Sequence, residues 1–338
     1  MPNADIGANG AVWLGLETIY GTPVDPTASG VGVWMPILDE ALVYTENKYY
    51  SNQIRQAAVA SDVEPSYYHV EGPLHFEVDP NYMPYLLYAS RHSVTKTGAS
   101  APYSYSAVPT GNGATYPGGS GRGLSIVVVR NGQGFLYSGC VVNNYEFTIT
   151  DGVLECTATM LGLAEQDLAT PPATPSWIDA DLFGATAHSI YVDTAGLTPT
   201  FATRNMTFNG FTFRVNHNGE AQNRINPNRS ANYIKYGVTE PEIETELDFL
   251  DKTEYTNFKN ATLRAIKLES LKPGGLATTF ATATEAFRVT AYRTAYDAYT
   301  VSLRSMADLV SAQVTMRSLN ISGGTAYKME LKSSANVT

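Results

Sequence analysis

Tyr145-Glu146-Phe147-Thr148-Ile149-Thr150-Asp151-Gly152-Val153-Leu154-Glu155-Cys156-Thr157-Ala158 is the stretch that decides the fold. Asp-Gly between two alternating runs predicts a two-residue hairpin, because both turn positions need positive φ. Placing Thr150 opposite Val153 makes the cross-strand pairs Ile149–Leu154, Phe147–Cys156 and Tyr145–Ala158, all on one face. Glu146–Thr157 and Thr148–Glu155 then fall on the other face. A slip of one residue would mix the two sets, so the register is fixed by the pattern itself.

Outward from this hairpin the same alternation predicts strands over Ala41–Glu46, Tyr67–Val78, Leu124–Arg130 and Phe208–Asn216. It continues over Glu242–Leu250, Ala286–Arg293, Leu309–Met316 and Ala326–Lys332. Helical spacing is confined to Asn81–His92, with Tyr82, Tyr85, Leu86 and Ala89, and to Lys252–Ile266, with Tyr255, Phe258, Thr262 and Ile266. The expectation is a mainly β protein with one short helix per half. Ser93–Gly123 and Gly162–Pro175 read as a long loop and a Pro-stiffened linker. Loops of that length are functional arms or disordered segments, and an arm docking on a neighbouring subunit satisfies both descriptions.

The two halves share an order of elements. Val70, Glu71, Leu74 and Phe76 match Ile243, Glu244, Leu247 and Phe249 at a constant shift, and each of these strands runs into one of the predicted helices. Strand–helix successions also recur by chance in β-rich chains, so the repeat is an expectation for the structure to test.

Hydrophobic residues make up 43% of the 338, and charged residues only 16%, against a usual charged share of about 25%. That balance, with 22 tyrosines, points to surface buried in contacts between molecules, although tyrosine is also common in strands generally. The formal charge of −10 argues against a protein that grips nucleic-acid phosphates. It is compatible with one that lets nucleic acid slide past. Cys140 and Cys156 do not face each other in the hairpin register and read as buried free thiols, as expected in a reducing cytoplasm. Residues 1–10 hold no basic region followed by an apolar core, so no secretory signal is expected. No apolar run approaches the ~20 residues that span a bilayer.

Catalytic motifs are missing. There is no G-x-x-x-x-G-K-[ST] loop, and the glycine run Gly118–Gly123 precedes a strand, not a helix. There is no G-x-S-x-G elbow. His69, His75, His92, His188 and His217 show no metal-ligand spacing. We expect no catalytic residues, no metal and no cofactor. The charged feature that stands out is Glu242, Glu244, Glu246 and Asp248, alternating with Ile243, Thr245, Leu247 and Phe249. A strand places these four carboxylates on one face about 6.5–7 Å apart. The plain reading is a solvated outer face. The sharper one is the wall of an aqueous channel that repels phosphates, with weak cation binding as a further property.

Gly15-Leu16-Glu17-Thr18-Ile19-Tyr20-Gly21-Thr22 resembles the Gly-x-Glu-Thr-x-Tyr-Gly-Thr segment that opens many major tail tube proteins of long-tailed bacteriophages. Gly139-Cys140-Val141-Val142-Asn143-Asn144-Tyr145 and the Phe208–Asn216 strand are similar to later parts of that family pattern. The resemblance implies two tandem tail-tube-type modules, each an antiparallel β-sandwich or barrel with one flanking short α-helix, plus long loops and an N-terminal arm. The expected division is arm 1–35, first module 36–165, linker 166–204 and second module 205–338.

The implied function is structural: chains form rings around a lumen, and rings stack helically into the virion tail tube that conducts DNA. A duplicated chain implies a trimeric ring with pseudo-sixfold symmetry. The implied partners are further copies of the chain, the tail terminator and tail-tip proteins, the tape measure protein during assembly, and genomic DNA passing without specific binding. Assembly is expected in the bacterial host cytoplasm, and a flexible tail is favoured over a contractile one. The candidate lumen carboxylates are Glu242, Glu244, Glu246, Asp248 and Glu71. The candidate assembly contacts are Trp13, Tyr20 and Trp34 in the arm and Tyr103, Tyr105 and Tyr116 in the following loop. The competing reading is a capsid-decoration, fibre or carbohydrate-binding β module, with tyrosines stacking on sugars.

Overall fold

The computed structural model describes residues 10–28, 30–51, 63–110, 122–168, 177, 182–202, 204–205, 207–224, 228–272, 279–302 and 310–337. The hairpin forms in the expected register, with Phe147 opposite Cys156 and Tyr145 opposite Ala158. Asp151 (φ 49°) and Gly152 (φ 80°) both take the left-handed backbone that the turn demands. Leu124–Arg130 and Phe208–Asn216 have the bounds that alternation predicts.

The hairpin sits inside a larger antiparallel sheet. Its order is Val43–Tyr50, Val63–Glu77, Val153–Gly162, the C-terminal half of Gln133–Thr150, Phe208–Asn216, Glu240–Asp248, Ser311–Ser318 and the C-terminal half of Ala286–Ser302. One face of these eight strands is apolar and buried, for example Phe147, Phe211, Phe213, Val215, Ile243 and Val314. Two smaller sheets are built on the same long strands. The N-terminal half of Gln133–Thr150 lies between Leu124–Arg130 and Ala164–Leu168, and Ala11–Leu16 and Gly32–Met35 extend that sheet. The N-terminal half of Ala286–Ser302 lies between Arg264–Leu271 and Tyr327–Ser333 in the same manner, with His188–Thr194 and Arg204–Asn205 beyond. One continuous apolar core runs from Val12 and Leu14 through Phe147 to Phe287 and Val337.

Several expectations change. The N-terminal arm is not an arm: Ala11–Leu16 and Gly32–Met35 are paired strands, because an apolar run such as Ala11-Val12-Trp13-Leu14 is buried on both faces. Part of the Ser93–Gly123 loop is a hairpin, His92–Thr97 with Tyr103–Pro109, which joins the second half by pairing with Tyr327–Ser333. The 166–204 linker contains His188–Thr194. The helices shrink to Met83–Tyr88 and Thr253–Lys259, and Ile266 lies on the strand Arg264–Leu271 because its neighbours Ala265 and Leu268 are buried as well. Pro171, Pro172, Pro175 and the Gly118–Gly121 run lie outside the described residues.

Glu17, in the Gly-x-Glu-Thr-x-Tyr-Gly-Thr segment, is fully buried. Its carboxylate accepts from the Gly21 N–H (2.6 Å), the Gly139 N–H (2.8 Å) and the Ser125 hydroxyl (3.0 Å). Burial raises its pKa, and the two backbone donors and Ser125 counter the rise. Gly139 (φ 62°) is where the long strand leaves one sheet for the other, and a Cβ there would lie 2.6 Å from the Leu163 side chain. Glu17→Ala leaves the buried Gly139 N–H and the half-buried Gly21 N–H without their acceptor, so it should lower stability by about 1–3 kcal/mol in denaturant titration. Glu17→Gln, which keeps an acceptor, should cost less.

Where the two halves meet, His92 receives or donates to Ser90 Oγ (2.5 Å) and Tyr327 OH (2.7 Å), and its ring lies 5.2 Å from that of His217. Burial pushes His92 down to about 3 and His217 well below the ordinary range. Below pH ~6.5 the unfolded chain takes up protons that these imidazoles refuse in the fold. Their stabilisation is therefore complete above that pH and is lost progressively as pH falls toward 3. Urea titrations between pH 7.5 and 4.5 should show declining stability, with imidazole NMR resonances that do not titrate in the folded chain.

Candidate functional site

Alternation sorts each of the eight central strands into a core-facing and an outward set. On Phe208–Asn216, Phe211, Phe213 and Val215 enter the core, leaving Thr212, Arg214 and Asn216 outward. On Glu240–Asp248, Ile243 and Leu247 enter the core, leaving Glu242, Glu244, Glu246 and Asp248 outward as expected. The strand register carries this partition across the sheet. Glu244 is opposite Thr212, Thr212 is opposite Thr148, and Thr148 is opposite Glu155. Glu155 is opposite Glu77, and Glu71 lies on the same face of Val63–Glu77. The five carboxylates named from sequence therefore share one surface with Glu77, Glu146 and Glu155. Among the six inner strands the basic residues are Arg214 and Arg317. The surface is a broad acidic wall.

Arg214 sits where the two halves of this sheet join. Its guanidinium bonds Glu146 across the junction (3.1 Å) and Glu244 on the other side (2.6 Å), with Glu242 at 4.0 Å. Arg317 pairs with Asp297 (3.4 Å). His69 and His75, expected on one strand face, lie beside Glu71 (3.4 Å) and Glu155 (3.2 Å) respectively. Among the described residues no group of three His, Cys, Asp or Glu is arranged to hold a metal. Burial pushes both thiols, Cys140 and Cys156, well above their ordinary range, and both are free.

The aromatic candidates scatter. Trp13 is buried within its own chain against Val127 and Leu136, and Tyr105 is buried with its hydroxyl donating to the Ala335 carbonyl (2.7 Å). Both therefore pack inside the chain instead of facing a neighbour. Tyr20 is half-buried against Val141 and Leu163, and Trp34 stacks edge-on with Trp177 at 6.3 Å. Tyr103 is half-buried under Lys96. Tyr116 lies outside the described residues. What the sequence reading missed was Arg214 and the contribution of Glu77, Glu146 and Glu155. Strand alternation already put Glu146 and Glu155 on the polar face of the hairpin. That this face continues the Glu242–Asp248 stripe depends on the pairing of Phe208–Asn216 with Gln133–Thr150.

The family model described as phage tail tube protein matches residues 7–323. No curated protein matches the chain.

Arg214→Ala removes the cation from the junction and leaves Glu146, Glu242 and Glu244 facing one another. Because the group is half-exposed, the loss should be roughly 1 kcal/mol at low ionic strength and smaller in 1 M salt, as read from denaturation midpoints at the two salt concentrations.

Proposed function

The chain belongs to the phage tail tube protein family, and from that premise we propose how its sheet builds the tube. The family role is structural: the protein is a component of the virion tail and self-assembles into a tube. The reading as a decoration, fibre or carbohydrate-binding module gives way to that membership. In our proposal the eight-stranded sheet is one segment of a closed barrel. Copies add edge to edge until no edge remains, the acidic face lines the lumen, and the two smaller sheets lie outside.

The observation that carries this reading is the acidic wall on a continuous sheet whose first and last strands pair, among the described residues, on one side only. The repeated strand order supports two equivalent modules per chain. In each half a long strand leaves an outer sheet and enters the inner one, where three more strands follow in the same order. Geometry favours three chains per ring. At ~4.8 Å between strands and a tilt of ~40°, two copies give a backbone diameter of roughly 32 Å and three roughly 48 Å. Inward side chains remove about 10 Å of either, and only the larger ring then admits a hydrated duplex. Glu71, Glu242, Glu244, Glu246 and Asp248 are the lumen carboxylates in this reading. They act by repulsion, holding phosphates off the wall so that DNA does not adhere. Tail terminator, tail-tip and tape measure proteins are the partners that bound the tube in length, and the host cytoplasm is the site of assembly.

Purified chain should form open-ended tubes in negative stain, with a threefold ring in averaged end views. The variant Glu242→Lys/Glu244→Lys/Glu246→Lys should still form tubes but retain duplex DNA at low salt, releasing it as salt rises. Equal DNA retention by unmodified tubes would remove the lumen assignment.

A further inference from the structure

The two outer sheets differ in what they carry on the face turned away from the core. In the first half that face is apolar. Trp13, Val127 and Leu136 alternate with the core residues Val12, Ile126 and Tyr137 and are buried against Val24 and Trp34. In the second half the same alternation sends Leu268, Val289 and Met329 into the core and turns charged side chains away from it. The register sets these in two rows. Lys267 is opposite Thr290 and Thr290 opposite Lys328, while Glu269 is opposite Arg288 and Arg288 opposite Glu330.

The second row is closed on itself. Arg288 bonds Glu330 through Nε (2.8 Å) and Nη2 (2.6 Å), its Nη1 lies 3.5 Å from Glu269, and Phe280 stacks on the guanidinium at 4.1 Å. Lys328 reaches the same Glu330 at 2.9 Å. The first row is less well matched. Lys267 has Glu269 at 3.6 Å, longer than a direct hydrogen bond, and its ammonium is boxed by the rings of Tyr191 (3.9 Å) and Phe201 (5.2 Å). Burial lowers its pKa, with Glu269 opposing the shift. Between these rows and the loop 197–201 lies an open cleft of about 390 Å³, a size typical of small-ligand sites. The loop is held in shape. Asp193 accepts from the Thr200 N–H (2.7 Å), the Thr200 hydroxyl (3.0 Å) and the Phe201 N–H (3.0 Å). Phe201 is thereby kept at φ 46°, which a bulky residue adopts only under constraint. Leu197, at the rim, is 51% exposed.

Lys267, Arg288 and Lys328 line the cleft with a single carboxylate, Glu330. Glu269 lies more deeply buried beside them, and Asp193 is occupied by the loop. Lys267 and Lys328 flank Thr290 on neighbouring strands, so their Cα atoms are about 9.6 Å apart. A carboxylate placed above Thr290 lies within reach of both ammoniums and of the hydroxyl between them. We propose that this cleft binds an acidic side chain of a polypeptide segment, with the apolar neighbours of that side chain against Leu197, Pro199 and Phe201. With Glu269 counted, the floor holds one excess positive charge, which a carboxylate neutralises and a phosphate dianion overshoots. The first half has its far face filled by Trp13, Val127 and Leu136, so the site occurs once per chain and not once per module. In the tube reading the far faces of the outer sheets point outward and the cleft opens on the tube's exterior. That placement rests on the tube reading; the binding itself does not.

The probe is the peptide acetyl-Leu-Asp-Leu-amide, compared with acetyl-Leu-Asn-Leu-amide and inorganic phosphate. Titrated into the isotope-labelled chain at low salt, the Asp peptide should shift the backbone amide resonances of 197–201 and Thr290 along a saturable curve. The Asn peptide should bind roughly tenfold more weakly, the worth of one charge-assisted hydrogen bond. Lys328→Gln should weaken the Asp peptide roughly threefold and leave the Asn peptide unchanged, whereas Leu197→Ser should weaken both. Equal affinity for the two peptides, no saturable shift at 197–201, or tighter binding of phosphate than of the Asp peptide overturns the proposal. Those comparisons need only the unmodified chain, so a variant that does not fold leaves the test standing. Pelleted tubes should retain one Asp peptide per chain. Retention by the free chain but not by tubes overturns the exterior placement and leaves the site, while failure of the chain to form tubes overturns the tube reading alone.

Discussion

Everything in this protein depends on a strand that belongs to two sheets. Gln133–Thr150 pairs with Leu124–Arg130 and Ala164–Leu168 along its first half and with Val153–Gly162 and Phe208–Asn216 along its second. The change of partners occurs around Gly139, whose N–H is held by the buried carboxylate of Glu17. Glu17 also holds Gly21 and Ser125, so one side chain fixes the end of the first strand, a strand of the outer sheet and the bend. A buried carboxylate is costly unless its oxygens are satisfied, and here both are. That is the physical content of the Gly-x-Glu-Thr-x-Tyr-Gly-Thr segment.

From the bend follows the division of labour. The outer sheets and the inner sheet share one apolar core, so the inner sheet needs only one buried face. Its other face is released to carry charge. Carboxylates at Glu71, Glu77, Glu146, Glu155 and along Glu242–Asp248 repel one another, which is tolerable because each is partly solvated and because Arg214 and Arg317 sit among them. A fold that keeps its hydrophobic residues on one side of a sheet can therefore present a predominantly acidic face on the other.

The two halves are not independent beads. The hairpin His92–Thr97 with Tyr103–Pro109 leaves the first half and completes the outer sheet of the second, with Tyr105 bonding the C-terminal segment at Ala335 and Val337. His92, Tyr327 and His217 are buried at this crossing. The two halves thus share buried polar pairs as well as apolar surface.

Local pattern was sufficient for strands whose two faces differ. The 145–158 hairpin, Leu124–Arg130, Phe208–Asn216 and the carboxylate stripe were legible because a period of two allows one register and one buried face. It was insufficient where both faces are buried, as at Ala11–Leu16, since a continuous apolar run carries no period, and where a strand is short and polar, as at Ala164–Leu168. It also assigned Trp13 and Tyr105 to the outside, because an aromatic residue reads alike in a core and in an interface. The sequence by itself therefore determined what each strand keeps inside and what it shows. Only the tertiary structure decided which strands lie side by side, and so that the scattered carboxylates form one wall, because strand neighbours are chosen by contacts between residues far apart in the chain.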